Sequence, residues 1–84
     1  MQKELFDCII TYGELDPKWP CHYKEGAFIQ EVVKHNATEE EATAWHGSAE
    51  CMKRVHELED LGREKFGKDY HKRWHVSYYW TNAS

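Results

Sequence analysis

Residues 74–81, with the sequence WHVSYYWT, carry the pattern that decides the fold. Large apolar side chains occupy every second position of this stretch, at Trp74, Val76, Tyr78 and Trp80. Alternation with a period of two is typical of a β-strand that has one face in the core. The stretch therefore predicts a strand that supplies aromatic side chains to the core on one face and leaves Tyr79 on the other.

Two further strands are predicted in the first half of the chain. Residues 5–15 show the same alternation, although Ile9 interrupts the polar face; the inward positions are Phe6, Cys8, Ile10 and Tyr12. Residues 27–35 fit one face of a helix about as well as a strand, and their β-branched content favours a strand. The two strands are joined by residues 16–26, which contain both prolines and a glycine and are expected to form an irregular loop.

The clearest local signal is a helix start at Thr38. Its hydroxyl can accept from the backbone of Glu41 while the Glu41 carboxylate reaches back, and three glutamates suit the positive end of the helix dipole. Small and apolar residues then recur at steps of three and four, at Ala44, Ser48, Cys51, Val55, Leu58, Gly62 and Phe66. This stripe predicts a long helix lying close to the aromatic side chains of the sheet. Gly47 is expected to kink or split the helix, and Gly67 to end it.

The order strand, strand, helix, strand predicts a small α+β domain of ββαβ type. Its three-stranded antiparallel sheet carries the long helix on one face. With 84 residues the chain has no room for a second core, so residues 1–84 are expected to form one domain.

Composition and charge narrow the class of protein. Fifteen acidic residues against 11 Lys and Arg give a net charge of −4, which argues mildly against a protein built to grip a phosphate backbone. The N-terminus shows no cationic region followed by an apolar run, so we expect a soluble cytoplasmic protein. In that reducing compartment the three cysteines are expected to be free thiols, with Cys8 and Cys51 on core faces.

Catalytic and metal-binding patterns are weak. The sequence has no Gly-rich phosphate loop and no Ser-His-Asp signature, so we expect neither an enzyme nor a cofactor. Cys21 and His22 are adjacent, but adjacency on a loop does not give a nucleophile its base. His71 and His75 could join them around zinc, yet they straddle the predicted start of a strand and no Cys-x-x-Cys pair is present. We therefore predict no metal and keep a zinc-stabilised adaptor as an alternative.

A basic segment precedes the last strand. Five of the 11 basic residues lie between positions 63 and 75, and aromatic residues follow. The 63–79 segment could thus bind nucleic acid by charge and stacking, with Lys68, Lys72 and Arg73 as the contacts. The plainer explanation is that cations near a helix C-terminus complement its dipole.

Aromatic residues beyond the needs of the core point to a protein partner. The positions expected to bind it are Trp19, Tyr23, Trp45, His75 and Tyr79. The loop could instead fold over the sheet and bury Trp19. A short acidic ββαβ protein without a catalytic motif resembles the small inhibitors that phages and other mobile elements make against host machinery. We therefore expect a non-enzymatic inhibitor or regulator of a bacterial complex, in the host cytoplasm if it is phage-encoded. A homodimer through a sheet edge is a further expectation.

Overall fold

The computed structural model describes residues 4–83. Residues 1–3, which entered our expectation of an unexported chain, and residue 84 lie outside the described part. The elements in chain order are strand β1 (Phe6–Glu14), strand β2 (Ile29–Ala37), helix α1 (Glu39–Trp45), helix α2 (Ala49–Phe66), a 3₁₀ turn (Gly67–Asp69), helix α3 (Tyr70–Arg73) and strand β3 (Trp74–Asn82).

The three strands form one antiparallel sheet in the order β2-β1-β3. β1 and β3 pair without interruption from Phe6 opposite Asn82 to Glu14 opposite Trp74. The pairing of β1 with β2 is irregular, with register shifts on both sides of Cys8. The predicted α+β class, with a three-stranded antiparallel sheet and a long helix, is confirmed, and so is the interpretation of residues 27–35 as a strand.

Two separately capped helices replace the single long helix that the stripe predicts. Thr38 and Glu41 form the predicted capping box at the start of α1. The chain then turns at Gly47, whose φ of 77° lies in the left-handed region that favours glycine. The Ser48 side chain accepts from the Cys51 backbone and starts α2 afresh. The helical phase restarts there, so the expectation that Ala44 faces the sheet is wrong; it is exposed.

The core lies between the sheet and both of these helices. Its buried members are Cys8, Ile10, Ala37, Ala42, Trp45, Cys51, Val55 and Leu58. Trp74 extends this core at the start of β3, where its indole Nε1 donates a buried hydrogen bond of 3.0 Å to the Leu58 carbonyl oxygen. Across residues 4–83, none of the helices has the length and hydropathy needed to cross a membrane.

Candidate interaction surface

The sheet face turned away from α1 and α2, here called the open face, carries an apolar row that crosses all three strands. Ile9 in β1 lies opposite Val32 in β2 on one side and opposite Tyr79 in β3 on the other. Directly opposed side chains in an antiparallel pair have Cβ atoms about 5 Å apart, so the three form one continuous strip. Ile9 in the middle is only 3% exposed, whereas Val32 is 50% and Tyr79 37% exposed.

The neighbouring row of the open face is polar. Thr11 lies opposite Gln30 in β2 and opposite Ser77 in β3. Its side chain is buried beneath its neighbours in the described structure. The open face thus alternates an apolar row with a row of uncharged hydrogen-bonding side chains.

Aromatic side chains close one end of the open face at Gly13. Tyr23 folds back from the loop so closely that a Cβ built on Gly13 would lie 3.1 Å from Tyr23 Cδ1. Its ring lies 4.8 Å from that of Phe28 and 6.1 Å from that of His75, measured between ring centroids. Glycine at position 13 is what permits this approach, because any larger residue would meet both the ring and the Ala27 backbone.

Backbone hydrogen bonds hold the loop against the end of the sheet. The Lys24 backbone N–H donates to the Glu14 carbonyl oxygen at 2.8 Å, and that of Asp16 donates to His22 at 2.9 Å. At the tip, the Trp19 carbonyl accepts from the His22 N–H at 2.9 Å. Trp19 itself is 65% exposed, so the aromatic residue that the loop folds onto the sheet is Tyr23, and Trp19 projects from the loop.

Trp45 does not lie on this surface. The sequence predicts Trp45 as a partner contact, but it is 4% exposed and packs edge-on against Tyr78 in the core. The break at Gly47 is the reason. α1 is a separate helix whose inward positions are Ala42 and Trp45, three residues apart.

Of the other residues predicted to bind a partner, Tyr23, His75 and Tyr79 share the open face and Trp19 lies at the loop tip. Sequence reasoning missed Phe28, Val32 and the buried Ile9 as parts of the same surface. The departure of Ile9 from strict alternation was the one signal, since an apolar residue on a polar face needs apolar neighbours on the adjacent strands.

Polar groups border the apolar row at the end opposite Tyr23. The Asp7 carboxylate forms a short hydrogen bond with Nδ1 of His35 and accepts from the Asn36 backbone N–H at 3.3 Å. Asn36 has a φ of 59°, and it lies in the irregular part of the pairing of β1 with β2. The end of the open face at Asp7 is therefore charged, whereas the end at Tyr23 is aromatic.

The basic residues predicted to contact nucleic acid lie around the short helix α3. An Arg73 Nη atom lies 3.4 Å from Glu14 Oε2, and the guanidinium stacks 5.0 Å from the Phe66 ring centroid. Lys68 and Lys72 are exposed. In the described residues neither lysine forms an ion pair, and neither does Lys65 near the end of α2, so the basic character of this region rests mainly on these three side chains.

The cysteine and histidine side chains are dispersed. Cys8 and Cys51 are buried and Cys21 is exposed, and burial raises the pKa of the Cys8 thiol. A raised pKa makes a thiol less nucleophilic at neutral pH. From Glu4 to Ala83, no three His, Cys, Asp or Glu side chains are grouped as metal ligands.

Comparison of this chain with known protein families, with curated proteins and with solved structures finds no match. The surface described above is therefore interpreted from its own geometry and chemistry.

Proposed function

We propose that this protein is a non-enzymatic binding module that acts by covering a surface of a larger protein with its open face and loop. The apolar row of Val32, Ile9 and Tyr79 is the observation that carries the proposal. Two of its members are well exposed, and Phe28, on the far side of the polar row, is itself about half exposed. Exposed contiguous apolar surface on a small soluble domain is typical of interaction sites.

The chemistry of the surface favours a protein over a small molecule. Aromatic anchors at Trp19 and Tyr79 are of the type that dominates protein interfaces, and Gln30 and Ser77, the more exposed members of the polar row, offer hydrogen bonds. The surface is one face of a three-stranded sheet, whereas small-molecule sites are concave and enclose most of their ligand.

The partner class we favour is a bacterial host complex that the protein inhibits or regulates. Small size, acidity and the lack of a catalytic motif support this class, because they are the features shared with the small inhibitors of phages and mobile elements. An acidic inhibitor also suits a target with a basic functional surface.

Quantitative capture from a bacterial lysate tests the proposal with two matched variants. Val32→Lys places a charge in the apolar row, and Leu61→Lys places the same charge at an exposed leucine of α2, away from the sheet. The proposal expects a defined protein that is enriched by the wild type and by Leu61→Lys and lost with Val32→Lys. Equal enrichment by all three proteins, with every variant folded, would place the binding surface elsewhere.

A further inference from the structure

The two edges of the sheet differ in how they resist pairing with another strand. An edge strand presents unpaired backbone N–H and C=O groups, and natural proteins protect such edges with charges, prolines, bulges or short strands. β2 has two of these protections, irregular pairing and charges. Its pairing with β1 shifts register twice, Asn36 takes a left-handed conformation, and Glu31 and Lys34 put charges on the strand.

β3 at the other edge has none of them. It is nine residues long, and its register with β1 is regular from end to end. The sequence WHVSYYWTN contains no proline, glycine, lysine or carboxylate, and it is rich in the aromatic and β-branched residues that favour strands. Such an edge is a template for a further strand.

We propose that the free edge of β3 pairs antiparallel with β3 of a second copy of this chain, joining the two sheets into one. The register that uses all nine residues is centred on Tyr78, which lies opposite its own counterpart. The remaining pairs are Trp74 with Asn82, His75 with Thr81, Val76 with Trp80, and Ser77 with Tyr79.

Charge and side-chain pairing favour a second copy as the occupant. Each chain carries a net charge of −4, which opposes association, so an uncharged edge is where two copies can approach with the least repulsion. Self-pairing of β3 opposes no two carboxylates and no two lysines. It also places an aromatic residue opposite a β-branched one, at Val76 and Trp80, and tyrosine opposite tyrosine at position 78, which are stabilising cross-strand pairs.

The resulting dimer would extend the open face. Antiparallel strands related by a two-fold axis perpendicular to the sheet keep equivalent faces on the same side. Tyr79 of each copy then lies beside Ser77 of the other, and the apolar rows of both copies lie on the same face of the joined sheet.

The dimer proposal does not depend on the proposed binding function, because dimerisation is measured on the purified protein alone.

Two double variants test this register. His75 and Thr81 are exposed and oppose each other across the dimer. H75K/T81K puts lysine opposite lysine at both symmetry-related positions, whereas H75E/T81K puts glutamate opposite lysine. Within one chain the two variants are closely matched: position 75 faces Gly13 and the uncharged Tyr23 ring, and the shared lysine at 81 faces Asp7.

Sedimentation velocity over a range of concentrations gives the result. We expect the wild type to reach twice the monomer mass of 10.0 kDa. The dimer dissociation constants of the two variants should differ by about tenfold or more, with H75K/T81K the weaker. Added salt should strengthen the H75K/T81K dimer and weaken the H75E/T81K dimer.

Three outcomes would overturn the proposal. The first is a wild type that stays monomeric at every concentration. This holds even if the β3 variants lose a captured partner protein, because the edge would then bind that partner and not a second copy. The second is a dimer that responds equally to both double variants, which would place the contact at another edge. The third is a dimer that dissociates on Val32→Lys, a substitution in β2, while both β3 variants leave it intact.

Discussion

The indole ring of Trp74 lies directly against the backbone of Gly62. A Cβ built on Gly62 would overlap Trp74 Cδ1 and lie 2.6 Å from Cγ and 2.9 Å from Nε1, closer than real side chains approach. The same indole donates to the Leu58 carbonyl one helical turn earlier. The small residue at position 62 is therefore what brings α2 close enough to β3 for this hydrogen bond. The expectation that small members of the stripe permit a close approach to sheet aromatics is confirmed here.

Gly62→Ala is expected to destabilise the protein by about 1–3 kcal/mol, as overpacking does in other cores. The change gains helix propensity of about 1 kcal/mol, but the methyl group must displace a ring that is anchored by a hydrogen bond. Chemical denaturation measures the free energy of unfolding. In a Trp74→Leu background the cost should shrink or reverse, and an equal cost in both backgrounds would mean that the indole does not limit this site.

Trp19 and Trp45 should respond in opposite ways to the same truncation. Trp45→Ala removes a core ring and should cost about 3–5 kcal/mol of stability. Trp19→Ala should leave the melting temperature almost unchanged, since this side chain is 65% exposed. If Trp19 anchors a partner, its removal should weaken binding by about 2 kcal/mol, or roughly thirtyfold. A Trp19→Ala variant with a clearly lowered melting temperature would contradict the surface assignment.

The Glu31–Arg54 pair between β2 and α2 should make stability depend on acid pH. Arg54 donates through Nε at 2.9 Å and through an Nη atom at 2.8 Å to the two carboxylate oxygens. These bonds hold the pKa of Glu31 below its ordinary value of 4.5 and raise that of Arg54. Because the pKa of Glu31 is lower in the folded state, the stabilisation is complete above the unfolded pKa and is lost as the pH falls through the folded one.

Glu31→Gln should therefore lower the melting temperature at neutral pH, and this effect should fade as the pH drops below 4.5 and through the lowered folded pKa of Glu31. The magnitude should stay below about 1 kcal/mol, because both side chains are partly exposed to solvent. Glu57→Gln is the matched control. Glu57 contacts the same guanidinium at 3.5 Å from a more exposed position, so its removal should matter less. Identical pH profiles for the two variants would show that the bidentate geometry adds nothing.

Nucleic acid, if this protein binds it, should bind weakly and through charge. Lys68, Lys72 and Arg73 are exposed in the 3₁₀ turn and the short helix α3 that precede β3, and Arg73 is already near Glu14. Binding of a labelled single-stranded oligonucleotide, followed by fluorescence anisotropy, should fall steeply with salt and vanish when all three are changed to Gln. Tight binding that persists at high salt would contradict this expectation and favour base stacking on the aromatic strand.

Local sequence patterns predicted the helices and strands of this fold, whereas the residues that share the open face are determined by long-range strand pairing. The capping box at Thr38 and the alternation from Trp74 depend on near neighbours, so the sequence was enough for both. The prediction that Ala44 faces the sheet was wrong because it assumed one continuous helix across Gly47, where α1 has ended and α2 has not yet begun. Val32, Ile9 and Tyr79 meet only through the register of three strands, including an irregular pairing of β1 with β2 that no local pattern encodes.

The Tyr23 hydroxyl offers the last test, since it concerns how the loop is attached to the sheet. This oxygen is buried and forms no hydrogen bond with any residue from Glu4 to Ala83. A buried polar group without a partner costs about 1–3 kcal/mol, whereas its aromatic ring gains from packing over Gly13 and against Phe28. Tyr23→Phe keeps the ring and removes the oxygen, so we expect unchanged or higher stability in thermal unfolding.

Tyr23→Ala is the companion variant, because it removes the ring as well. It should lower stability and raise the rate of amide hydrogen exchange at Lys24, whose N–H donates to Glu14 only while the loop lies against the sheet. A loss of stability in Tyr23→Phe equal to that in Tyr23→Ala would show that the hydroxyl is bonded in solution. The loop would then be attached to the sheet by that bond and not by the packing of the ring against Gly13.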